Sequence, residues 1–168
     1  MKSDLEEAIA NYSKAIELDP NYAEAYLSRG IARAANNSLD GAIADFTKII
    51  EMKPPSNLVL PAAFFNRGLA RERKGDYDGS IEDYTNALRL NPRAKTYTTR
   101  CGARNSKRDF TGAVADCTRA LEIDNRDANA YNNRGVARYW TEDLDGSIGD
   151  DARKRLDFYS QKRAYREP

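Results

Sequence analysis

The chain has 168 residues, 40% hydrophobic and 32% charged, and its 27 Lys+Arg against 26 Asp+Glu leave a net charge of +1. A near-neutral chain has no field to concentrate a polyanion, and no apolar run approaches the roughly 20 residues that span a bilayer, so nucleic acid and membrane are both poor partners. With no histidine, and with Cys101 and Cys117 as the only cysteines, the commonest general base is missing and neither a disulfide framework nor a zinc site is expected.

Apolar spacing predicts helices near 4–18, 22–36, 39–52, 61–74, 77–90, 94–107, 110–122, 128–141 and 144–164. The first, in "LEEAIANYSKAIELDP", stands alone, and its face Ala8, Tyr12 and Ala15 has no helix before it to pack on. The second opens a motif that then recurs: "SRGIAR", "NRGLAR", "TRCGAR" and "NRGVAR". The leading arginines, Arg29, Arg67, Arg100 and Arg134, are 38, 33 and 34 residues apart. Each is followed by a second arginine four residues on: Arg33, Arg71, Arg104 and Arg138. Twelve to sixteen residues further comes a second pattern: "LDGAIADFTKII", "YDGSIEDYTNAL", "FTGAVADCTRAL" and "LDGSIGDDARKR". The Asp-Gly steps in it read as turns that feed the second helix. Pro20, Pro54 and Pro92 punctuate the units, because proline suits a helix start and not its interior. The long step contains "KPPSNLVLPAA", which reads as an extended linker with an apolar patch at Leu58, Val59 and Leu60. The last helix keeps the stripe Leu144, Ile148, Ala152, Leu156 and Tyr159 on an otherwise charged segment, as a solvating terminal cap should.

In each unit an aromatic (Tyr26, Phe64, Tyr97, Tyr131) leads a small residue (Gly30, Gly68, Cys101, Gly135) by four positions. Together with the recurring Ala, Phe/Tyr and Pro at a period near 34, this resembles the tetratricopeptide repeat. The resemblance covers residues 3–150: a half repeat at 3–20, repeats at 23–56, 61–93, 94–127 and 128–150, and a capping helix at 144–165, all in one array over 1–168. It implies an all-α, right-handed superhelical solenoid of antiparallel helix pairs. In that fold the Gly and Phe/Tyr columns face each other across a helix pair. Cys101 and Cys117 occupy those two columns in the third repeat, so they are expected as buried free thiols that compensate each other in volume.

The resemblance also implies a function: binding an extended or helical peptide of a partner protein in a concave groove lined by the first helix of each repeat. The lining residues are then Leu27 and Ile31 from the first full repeat, and Phe65, Asn66 and Leu69 from the second. The third gives Lys95 and Thr99, and the fourth gives Asn129, Asn132, Asn133, Tyr139 and Trp140. Asparagine amides can pair with a peptide backbone as donor and acceptor. Trp140 either lines the groove or packs under the C-terminal helix. Some members of the family clamp the terminal carboxylate of heat-shock chaperones, but of the five matching columns (Leu27, Ile31, Asn66, Lys95, Thr99) only Asn66 and Lys95 carry the required residue types. The alternative function is structural, with copies associating through the open half repeat. No phosphate-loop, dinucleotide, zinc-protease or serine-nucleophile motif occurs, and "DYDGSIEDY" fails the calcium-loop spacing, so no catalytic residue, cofactor or metal is expected. No signal-peptide pattern opens the chain, which points to a soluble cytoplasmic protein.

The arginine pairs read as scaffold. If each second helix turns its aspartate toward the next repeat, Asp45 faces Arg67, Asp83 faces Arg100 and Asp116 faces Arg134. Arg29 then lacks a partner, because the half repeat has Asn11 in the aspartate column.

Overall fold

The computed structural model describes residues 2–54 and 58–144. Over these the chain forms α1 (Lys2–Leu18), α2 (Ala23–Ala35), α3 (Leu39–Met52), α4 (Val59–Arg73), α5 (Tyr77–Leu90), α6 (Ala94–Ser106), α7 (Phe110–Ile123) and α8 (Ala128–Leu144). Consecutive helices pack as antiparallel pairs: α2 on α3, α4 on α5, α6 on α7. First helices also touch across repeats, α2 with α4 and α6 with α8, which puts them on the inner side of the array. The second half of the fourth repeat and the capping helix expected at 144–165 lie outside the described residues.

Local chemistry explains the boundaries. Asp76 and Asp109 cap α5 and α7 by accepting the backbone N–H of Gly79 and Gly112. The Asp-Gly signal is therefore not a turn. The glycine sits inside the helix, where a Cβ at Gly79 would lie 2.3 Å from the capping carboxylate. The turn between paired helices needs one left-handed residue, supplied by Asn37, Gly75 and Arg108 in successive repeats. The expected linker is shorter than its prolines suggested. Val59, Leu60 and Pro61 form the first turn of α4, where proline's missing N–H is no loss, and Val59 and Pro61 are buried while Leu58 is 65% exposed.

The core is serial rather than central. One cluster joins α2, α3 and α4 through Ala23, Ala42, Phe46, Ile49, Val59 and Ala63. Another joins α6, α7 and α8 through Cys101, Phe110, Ala113, Cys117, Ala120, Ala130 and Ala137. Each cluster spans one helix pair and the first helix of the next, which is how a pair that cannot bury its own stripe becomes stable.

The expected facing columns are present. A Cβ on Gly30 would lie 2.5 Å from Phe46, and one on Gly68 would lie 2.6 Å from Tyr84, so each aromatic ring seats on a missing side chain. In the third repeat the outcome differs from the expectation of free thiols: Cys101 and Cys117 form a disulfide, with Cα atoms 5.6 Å apart. Columns close enough for a ring to rest on a glycine backbone are close enough for two cysteines to bond.

Tyr84 is wholly buried, and its hydroxyl donates to Glu72 Oε2 at 2.7 Å. Burial first, then the Glu72 bond and charge, push its pKa well above the usual tyrosine value. Unfolded tyrosine ionises near pH 10, so the contribution is complete below that pH and is lost as pH rises above it. Denaturant midpoints measured from pH 9 to 11.5 should therefore fall more steeply for the native chain than for Tyr84→Phe.

Candidate peptide groove and the arginine–aspartate clusters

The arginine pairs and the aspartates do meet, but within a repeat and not between repeats. Asp45 takes Arg29 in two-pronged fashion, Oδ1 from Nη2 at 2.7 Å and Oδ2 from Nε at 3.0 Å, and accepts Arg33 Nη1 at 2.8 Å. Asp83 holds Arg67 and Arg71 in the same way, at 2.7, 3.0 and 2.9 Å. Asp116 holds Arg100 at 2.5 and 2.8 Å and Arg104 at 3.0 Å. The expected pairs Asp45–Arg67, Asp83–Arg100 and Asp116–Arg134 are thus corrected by one repeat, and Arg29 has a carboxylate partner after all.

The reason is helical azimuth. Asp45 and Phe46 both meet α2, the carboxylate through Arg29 and Arg33 and the ring on Gly30. The side of α3 turned to α4 carries Thr47, two residues and about 200° further round. Arg67 reaches across to that hydroxyl, Nη1 to Thr47 Oγ1 at 3.0 Å. Arg100 does so to Thr85 at 2.8 Å and Arg29 to Ser13 at 3.1 Å. The leading arginine also lies over the aromatic one turn earlier, as with Arg29 over Tyr26 and Arg134 over Tyr131 at 5.5 and 5.4 Å. The second arginine donates to the carbonyl of the capped glycine, as Arg71 does to Gly79 at 3.2 Å. Each described cluster is thus held chiefly by its own side chains and backbone.

The inner surface is different. Two cavities of about 450 and 470 Å³ adjoin there, and Asn66 lines both. The first lies between α2, α4 and α6 and includes Ile31, Ala34, Leu69, Arg73 and Thr99. The second includes Leu27, Leu58, Val59, Pro61, Phe65 and, at its polar side, Arg93 and Lys95. Asn66 Nδ2 donates to Ala62 O at 2.8 Å, which holds the amide in place. The charges of the first cavity are engaged: Arg73 donates to Ala34 O and Asn37 Oδ1, and Glu72 accepts the Tyr84 hydroxyl. Among the described residues the second holds two cations and no carboxylate, with Lys95 Nζ 5.9 Å from the Phe65 ring centre.

Seven of the residues expected in the groove thus gather around these cavities: Leu27, Ile31, Phe65, Asn66, Leu69, Lys95 and Thr99. Those on α8 do not join them. Asn129 and Asn132 are exposed, and the Asn133 carbonyl accepts from Asn105 Nδ2 at 2.9 Å. Trp140 stacks on Phe110 at 5.9 Å against the Cys101–Cys117 cluster, with Tyr139 edge-on to it at 5.4 Å. Arg93, Val59 and Pro61 were missed, because "KPPSNLVLPAA" and "NPR" read as connections. The signal available was the run of apolar residues just before and at Pro61, which can open a helix.

Comparison with known proteins accords with this geometry. A family model described as a TPR repeat matches residues 2–37, and one described as a tetratricopeptide repeat matches residues 61–93. Among curated proteins, the UDP-N-acetylglucosamine–peptide N-acetylglucosaminyltransferase of Giardia intestinalis is 41% identical over 56 residues, which are 32% of this chain and 4% of that enzyme. Among solved structures, MamA superimposes with a TM-score of 0.76 at 22% identity, covering 99% of this chain and 89% of that one. YrrB, described as a TPR protein with an unusual peptide-binding site, gives 0.72 at 21%, covering 87% and 74%. The first TPR of Spaghetti (RPAP3), solved with the HSP90 peptide SRMEEVD, gives 0.64 at 25%, covering 71% and 93%.

Proposed function

We propose, from the premise that this chain is an array of tetratricopeptide repeats, that it is a non-catalytic protein-interaction module holding an extended peptide of a partner along α2, α4 and α6. The observation that carries the reading is the placement of Asn66 between two adjoining cavities. One N–H of its Nδ2 is committed to the helix, and Oδ1 is the acceptor offered to a peptide N–H. Side chains on either side of that N–H would enter the two cavities. The second suits an apolar side chain flanked by an acidic one, because its wall is apolar and its charges among the described residues are Arg93 and Lys95. No described helix is long and apolar enough to cross a membrane.

Peptide arrays of acidic–apolar segments test this directly. Asn66→Ala should weaken the best binder about five- to tenfold, the worth of roughly one hydrogen bond. Lys95→Ala should weaken acidic peptides and spare neutral ones, with melting curves confirming that both variants fold. Unchanged affinities in both would sink the reading.

A further inference from the structure

The third repeat departs from the others at one facing pair of positions, and the departure changes what kind of force closes the repeat. In the first two repeats a ring rests on a glycine, Phe46 on Gly30 and Tyr84 on Gly68. Both contacts are non-covalent and indifferent to redox conditions. In the third repeat there is no ring, and Cys101 on α6 is bonded to Cys117 on α7. We propose that this bond makes the packing of the third repeat, and of no other described repeat, depend on redox state: oxidised, α6 is locked to α7; reduced, the pair loosens.

Three observations support the lock. The bond closes a 16-residue separation, so it removes unfolded conformations that the first two repeats retain. Both cysteines are wholly buried at the centre of the cluster that also holds Phe110, Ala113, Ala120, Ala130 and Ala137. Two unbonded sulfurs cannot lie as close as bonded ones, so reduction disturbs that cluster from its middle. The chemistry is ordinary exchange with a dithiol. One thiolate of the reductant attacks a sulfur, the S–S bond breaks, and the second thiol closes the reductant into its own disulfide. Two electrons and two protons pass to Cys101 and Cys117, which become thiols. Because neither residue is exposed, attack waits on local opening of α6 from α7, so the lock responds slowly.

The full chain, purified without reductant, should show fewer than one titratable thiol per molecule in denaturant, and two after treatment with tris(carboxyethyl)phosphine. The oxidised chain should melt about 5–10 °C above the reduced one, the effect of a loop of this length on a chain of this size. Cys101→Gly with Cys117→Phe restores the glycine–ring pair and should melt at one temperature with or without reductant. Two free thiols in the aerobically purified chain, or equal melting of its oxidised and reduced forms, would overturn the proposal. Because α6 carries Lys95 and Thr99, reduction should also weaken peptide binding. That step alone rests on the peptide-binding reading, and a large melting shift with unchanged affinity would count against that reading and not against the lock.

Discussion

Asp83→Ala should be among the most destabilising single changes in the chain, costing about 3–5 kcal/mol and lowering the melting temperature by on the order of 10 °C. Asp83 is 0% exposed and is the shared anion of Arg67 and Arg71. Its removal leaves two mostly buried guanidiniums without their shared anion, and the half-exposed Asp76, 3.8 Å from Arg71 Nε, compensates only weakly. Lys74→Ala is the contrasting case. Lys74 pairs across repeats, with Asp40, and both partners are exposed, so the change should stay within roughly 0.5 kcal/mol. Denaturant unfolding of double-mutant cycles separates the two possible architectures. Asp83 should couple to Arg67 by at least about 1 kcal/mol and to Arg100 by close to zero. Coupling to Arg100 instead would restore the inter-repeat ladder and contradict the structure.

The second large effect concerns the glycine column. Gly68→Cys alone should destabilise by about 2–3 kcal/mol, because its Cβ would meet Tyr84 Cε1 at 2.6 Å and the ring has no free space to enter. Adding Tyr84→Cys should recover that loss under oxidising conditions by recreating the Cys101–Cys117 arrangement one repeat earlier, with a loop-closure gain of about 3 kcal/mol. Mass spectrometry of the oxidised double variant should show it two hydrogens lighter per new crosslink. A double variant that stays reduced after oxidation would show that the two repeats do not share one backbone geometry.

These variants also show where sequence reasoning succeeded. Repeat phase was legible because glycine and a ring 16 residues apart mark one contact. The same interval fits the arginines: Arg29 meets Asp45, as Gly30 meets Phe46, 16 residues on. A ladder between repeats ignores that interval and so displaces each cluster by one repeat. The disulfide was hidden for a related reason, since a column alignment states that two positions face each other without stating how near they are. The cavity beside Leu27, Phe65, Asn66 and Lys95 was partly legible, because these residues fall on the inner helices at repeat spacing. Its rim was not, because Val59 and Pro61 open α4 where prolines suggested a linker.

The contact that crosses from one repeat to the next in each described cluster is a neutral hydroxyl: Ser13, Thr47 or Thr85. Within each of these clusters formal charge is cancelled locally, and the ion pairs that do cross between repeats, Lys74–Asp40 and Lys107–Asp78, lie at the exposed surface. The buried part of such a boundary has no charge pattern to match. A copy could be duplicated, deleted or exchanged during the growth of a longer gene without stranding a buried ion, provided the hydroxyl column is kept. The arrangement that fastens each hairpin to itself is thus also what leaves the number of hairpins free to vary.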